Sequence, residues 1–288
     1  MNTKIVLMTS VTLAAMAILT VVAIAASTHD QVDDAVIAKQ RSNLAASTQG
    51  KGYGPQSPRD IEVKVGSNAR NFGFSPDSEE MNLCNVHFHE NAEHRGPDFR
   101  TYAGNGDGKG YGTGFKYSGD LSAAELAPLD RVIGASKHGD LQPGDTIEVH
   151  YVYTSAKIDP GPTLGSCLSN AIGNPQLRVE AQVMVLVNDA EAANFGELAK
   201  IEQQNGYFQA VGIPDDTGEP IIYAGSTTGP GYNEKGSPFH VTWSVRPQAI
   251  KVDLVSLGDW LADNPFDEDH AHGVRNLVVA PQLLSEID

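Results

Sequence analysis

The stretch Cys84-Asn85-Val86-His87-Phe88-His89-Glu90-Asn91-Ala92-Glu93-His94 alternates apolar and imidazole side chains at its centre. In an extended chain Val86 and Phe88 fall on one face, and His87 and His89 on the other. Two neutral imidazoles about 7 Å apart on one strand face can converge on a single cation. A second run, Asp145-Thr146-Ile147-Glu148-Val149-His150-Tyr151-Val152-Tyr153, places Thr146, Glu148, His150 and Val152 on a shared face and so offers a third imidazole. Three histidines with an open fourth position form the catalytic pattern for zinc, whereas structural zinc sites fill all four positions with protein donors. A His-x-His pair alone can also be two polar residues on a wet strand face. The Glu-x-His strand favours the metal reading.

Outward from these two runs the chain reads as short strands and turns. Alternation predicts a strand at Ile61–Val65, and a long valine-rich run predicts a central strand at Leu177–Val187. Further strands are expected at Ile221–Ala224, Val241–Val245 and Gln248–Val255, with a last extended run at Leu277–Val279. Short helices or helical turns are expected at Leu121–Leu126, Asn194–Gln203 and Leu257–Ala262. The run Gly104-Asn105-Gly106-Asp107-Gly108 lacks the terminal glutamate of a calcium loop and the lysine pattern of a phosphate loop, so it reads as a turn. Many short strands with few helices, and no internal repeat or later linker, predict one mainly β domain over residues 52–288. Residues 27–51 read as a flexible leader, with a short helix around Val32–Arg41 as the alternative.

The 288-residue chain can bury a sizeable core, and its net charge of −16 with no basic patch argues against nucleic acid as a partner. Residues 1–26 read as a secretory signal: Lys4 opens it, an apolar run follows, and Ala23-Ile24-Ala25 offers a small-x-small cleavage site. An uncleaved membrane anchor is the alternative. Either way the body of the protein is expected to be exported, periplasmic or secreted, with no stable membrane partner once the signal is removed. In an oxidising compartment the two cysteines predict one disulfide, Cys84–Cys167.

The quoted stretch resembles the metal-site motif of the δ-class carbonic anhydrases, and the wider pattern is similar to the α class. Gln56-Ser57-Pro58-Arg59-Asp60-Ile61 resembles an α-class entry motif, and Glu148-Val149-His150 its third-ligand strand. Tyr223-Ala224-Gly225-Ser226-Thr227-Thr228-Gly229-Pro230 with Val241-Thr242-Trp243-Ser244-Val245 resembles the stretch holding its active-site threonine and pocket tryptophan. The resemblance implies a large, twisted, mostly antiparallel sheet with short peripheral helices. It implies reversible hydration of carbon dioxide to bicarbonate by a zinc-bound hydroxide, with zinc on His87, His89 and His150. It further implies that Glu148 orients a ligand imidazole and that Thr227, held by Glu93, aims the hydroxide. Val152, Trp243 and Thr228 would line the pocket. Two departures stand out. Ser226 occupies the place of a pocket leucine, and Phe74 in Asn71-Phe72-Gly73-Phe74 stands where the α class carries its proton-shuttle histidine.

Two other classes fit parts of the pattern. In a cupin-type metal enzyme, His87-x-His89-x-x-x-Glu93 would make Glu93 a ligand, but residues 223–245 would go unexplained. A non-catalytic zinc-binding protein of the same fold would keep all three histidines.

Overall fold

A computed structural model describes residues 31–228 and 233–287, without the side chains of Thr227 and Thr228. In chain order the described elements begin with helix α1 (Asp34–Thr48) and strands β1 (Asn82–Glu90), β2 (Thr101–Asn105), β3 (Thr113–Lys116), β4 (Thr146–Thr154) and β5 (Leu177–Val187). Helix α2 (Phe195–Leu198) follows, then strands β6 (Ile201–Gln204), β7 (Tyr207–Ala210), β8 (Ile221–Thr228), β9 (Gly236–Val245) and β10 (Ile250–Asp253), and helix α3 (Leu254–Ala262). The expected signal, residues 1–26, lies outside the described residues. Among the described residues no helix is long and apolar enough to cross a membrane.

The fold is mainly β, as expected. The principal sheet runs β1-β4-β5-β9-β8 and is mixed. Pairing is antiparallel for β1/β4, β4/β5 and β8/β9, and parallel for β5/β9. Strand β10 continues β9 along the same edge of β5, again in parallel.

Strand β4 is buried along its whole length, which explains its continuous apolar content between polar functional positions. One face packs Val86, Phe88, Ile147, Val149 and Tyr151 beneath Phe195 of α2 and Leu254 and Leu257 of α3. The other face collects Val152, Val179, Ala181, Val183, Val241 and Trp243. His87, His89 and His150 belong to this second face by strand parity. A β-bulge falls between Leu83 and Asn85. It shifts the parity of β1, so that Cys84 joins the second-face core while Asn85, the next residue, reaches His87.

Several local expectations are corrected. The segment 61–65 forms no strand, because it has no partner ladder. The Ile61 amide bonds Arg95, the Val63 amide turns back onto Asp60, and Val65 is left 72% exposed. The helix expected over residues 194–203 covers only α2, because the chain reverses at Asn205-Gly206. Both residues have positive φ (53° and 83°), the signature of a tight hairpin turn, and β6 and β7 pair across it. Leu277–Val279 is extended but joins no ladder; Val278 bonds the Pro58 carbonyl instead. The leader contains the alternative helix, and α1 runs past its expected end. Ile37, Leu44 and Thr48 form one buried stripe, and Leu44 packs on Val278, Leu283 and Leu284.

Candidate metal centre

Register delivers the three histidines. Across the β1/β4 pair His87 faces His150, and His89 faces Glu148. The ring centroids are 5.2 Å apart for His87–His89 and His87–His150, and 4.7 Å for His89–His150. One donor atom from each lies within 4.8 Å of the other two. Three imidazoles sharing one tetrahedral zinc, with Zn–N of about 2.0–2.1 Å, would hold their centroids roughly 5 Å apart. The observed spacing fits that requirement.

Each ring is also aimed. His87 Nδ1 donates to Asn85 Oδ1 (2.6 Å), His89 Nδ1 to the Gly273 carbonyl (3.0 Å), and His150 Nε2 to Glu148 Oε1 (2.9 Å). The opposite nitrogen of each is left with its lone pair, the usual build of a metal-ligating histidine. The buried Nε2 of His89 has no partner among the described residues, a cost that a bound cation would remove. Burial, then the neighbouring imidazoles, holds His87 well below the ordinary histidine range. Burial carries His89 down to about 4 against the pull of Glu93. Both are therefore neutral at physiological pH, as ligands must be.

Glu148 is completely buried. Burial alone would raise its pKa, but His94 and His150 reverse that and hold it well below the ordinary carboxylate range. Besides His150, it accepts the His94 backbone amide on Oε2 (3.0 Å) and His94 Nδ1 on Oε1 (2.6 Å). The His94 tautomer is set from its far side by the Tyr223 hydroxyl on Nε2 (2.6 Å). Burial keeps that phenol protonated far above its usual range. Glu93 is also buried and ionised: burial works against the charge, and His89 and Arg275 outweigh it. Its Oε1 accepts the Arg275 amide (2.8 Å), while Oε2 has no partner among the described residues. Trp243 stands 5.2 Å from the His150 ring and packs in one apolar cluster with Val152. Cys84 and Cys167 are bonded to each other, which ties the loop around Cys167 to the start of β1. Thr227 and Thr228 lie on β8, but their side chains fall outside the described set.

The family model for delta carbonic anhydrases matches residues 78–256, well over half of the chain. The chain belongs to the delta carbonic anhydrase family. No curated protein matches it. Solved structures similar to this delta carbonic anhydrase family member include the α-carbonic anhydrase of Thermovibrio ammonificans in complex with the inhibitor sulfanilamide. That structure shows 15% identity over 82% of this chain and 88% of that one, with a TM-score of 0.27. The α-carbonic anhydrase of Photobacterium profundum shows 14% identity over 85% and 93%, with a TM-score of 0.28. A hyperthermostable carbonic anhydrase from an active hydrothermal vent chimney shows 14% over 85% and 90%, with a TM-score of 0.27. Likeness at that level assigns no role to individual residues.

Sequence reasoning missed part of the site of this family member. Asn85 hides beside Cys84 because the bulge is invisible in an alternation pattern. The segment 272–275 lies far down the chain, yet it lines the outer edge of β1. The His272 amide bonds the Phe88 carbonyl, and the His272 carbonyl takes the Glu90 amide (2.9 and 2.7 Å). Gly273 and Arg275 then serve His89 and Glu93. The one available signal was His270-Ala271-His272, which repeats the spacing of His87 and His89. The His272 ring lies 5.8 Å from His87 and 6.1 Å from His89, and its Nε2 bonds the buried Glu268 carboxylate (2.7 Å). That hydrogen bond raises its pKa.

Proposed function

We propose that the protein is a zinc-dependent carbonic anhydrase that hydrates carbon dioxide reversibly to bicarbonate and a proton. The observation that carries this reading is a converging three-imidazole cluster in which the buried Nε2 of His89 has no partner among the described residues, in a chain of this family. His87, His89 and His150 would hold the zinc. The metal would supply the Lewis acidity that makes water a nucleophile near neutral pH.

The remaining roles belong to the chain. Neutral imidazoles leave the cation its full charge. Glu148 holds the His150 tautomer, and the His94–Tyr223 pair holds Glu148 in turn. The unused Oε2 of Glu93 suits the hydroxyl of Thr227. A hydroxyl that donates its one hydrogen bond to ionised Glu93 can only accept at its other side, which would orient the attacking oxygen. Val152, Trp243 and Thr228 would form the apolar wall that receives an uncharged gas and excludes water. Glu93 stands outside the ligand cluster, so nothing here favours the cupin reading. The disulfide points to a non-cytoplasmic protein, and export behind a cleaved signal, to periplasm or medium, accords with it.

The test is stopped-flow hydration with metal analysis. Protein with about one zinc per chain should hydrate carbon dioxide, chelator-stripped protein should not, and His150→Ala should lose most of its metal. A fully loaded protein with no turnover would leave a zinc-binding protein instead.

A further inference from the structure

His272 shares the construction of the three cluster histidines without belonging to the cluster. Each of the four rings gives one N–H to a fixed acceptor: Asn85, Gly273, Glu148 and, for His272, Glu268. Each keeps a second nitrogen with a free lone pair. Glu268 is buried, so it is a fixed support and not a mobile surface carboxylate. The backbone of His272 is bonded to β1 in both directions, so the ring cannot drift from the site. Its side chain is 44% exposed, against 7% for His89 and 3% for His150. It therefore stands where solvent meets the cluster. His270 lies one step further out, 5.8 Å from His272, with the same 5.8 Å separating His272 from His87. Glu268 pairs with His272 and Asp269 with His270, and the field of these carboxylates draws cations toward the line.

We propose that His272 is a transient outer ligand through which a divalent cation enters and leaves the cluster of His87, His89 and His150. This rests on the reading of that cluster as the metal site. At 5.8 and 6.1 Å the His272 ring is further from His87 and His89 than those rings are from His150, so a settled tetrahedral ion has no call on it. A cation arriving from solvent would bind first the His272 nitrogen that Glu268 does not hold, be shared with His87, and then pass inward.

Microscopic reversibility sets the test. A residue that only assists passage speeds entry and exit equally and leaves the equilibrium alone. Metal-free full-length protein is mixed at pH 8 with cobalt(II), a visible stand-in for zinc, and release is followed on mixing the loaded protein with excess chelator. In the wild type the uptake rate should saturate as cobalt is raised, the mark of capture followed by transfer. In His272→Ala and in His272→Gln, whose amide can still reach Glu268, uptake should become linear in cobalt. Entry and exit should then both fall by one common factor, on the order of tenfold, with affinity and stoichiometry unchanged. Unchanged rates would overturn the proposal. So would a weaker affinity with faster release, which would make His272 a resident ligand, and linear uptake in the wild type overturns it with no variant needed. A wild type that takes up neither cobalt nor zinc would refute the metal-site reading itself, a result distinct from all of these.

Discussion

At the scale of single residues, the site is a set of charges and lone pairs held in fixed hands. Glu93 presents a buried oxygen with no described partner, and the proposed partner is Thr227. Neither contacts the metal in this scheme. Thr227→Ala and Glu93→Ala should therefore keep zinc and lose hydration rate by about 10²–10³-fold, the usual cost of one oriented hydrogen bond in a preorganised site. Because the two act in series, the double variant should match the worse single one; multiplied losses in the hydration assay would break the pairing. Protonation gives a second expectation. The unfolded chain titrates its histidines near 6.5, whereas folded His89 is held to about 4 and His87 is also strongly depressed. As pH falls from about 6.5 toward 4, the unfolded chain takes up protons that the folded one refuses, so metal-free stability drops through that window. His89 alone corresponds to about 3 kcal/mol. His272 works in the opposite sense, since its raised pKa adds stability below about 6.5 that is lost as pH rises through its folded value. Glu93 and Glu148, both depressed, withdraw their contribution only at lower pH, once carboxylates begin to protonate. Denaturant melts of chelator-treated protein at pH 7.5, 6 and 5 measure the balance, and a flat midpoint would contradict the depressed pKa values of His87 and His89.

At the scale of elements, the pairing of β1 with β4 is what turns two separate motifs into one site. The two strands and the faces of their histidines were legible in advance, but not their pairing or register. Period-two alternation in both strands put the imidazoles on one face, and the valine-rich run at 177–187 became β5 with the same bounds. What stayed hidden depends on partners rather than on pattern. The bulge at Cys84 alters parity without altering composition. The segment at 61–65 alternates like a strand but meets no ladder, and the hairpin of β6 and β7 was masked by helix-compatible residues just before its Asn-Gly turn. The bridge from Cys84 to Cys167 closes a loop spanning 83 positions. In the chain-entropy view such a loop contributes about 4–5 kcal/mol. Thiol titration of denatured, unreduced protein should find no free thiol. Reduction should lower the melting temperature and leave the register of β1 against β4 in place.

At the scale of the whole molecule, the site is assembled from segments far apart in the chain, from Asn85 to Arg275. The family match stops at residue 256, yet residues 272–275 support β1, His89 and Glu93, and residues 278–284 seat α1. Removing everything after Asp263 should therefore weaken zinc binding even though all three proposed ligands remain. Loss of an orienting partner to a ligand histidine typically costs roughly 10–100-fold in affinity, which competition with a chelator of known affinity would read; an unchanged affinity would show the tail to be mere packing. The order of synthesis then acquires a meaning. A ribosome adds roughly 5–20 residues each second, so β1 and β4 emerge several seconds or more before the segment that finishes their site. During that interval the three proposed ligands would lack the carbonyl that aims His89 and the amide that holds Glu93. On the proposed reading, the choice of ion would then fall after β1 and β4 have emerged, and in an exported protein it would pass to the compartment where the chain comes to rest.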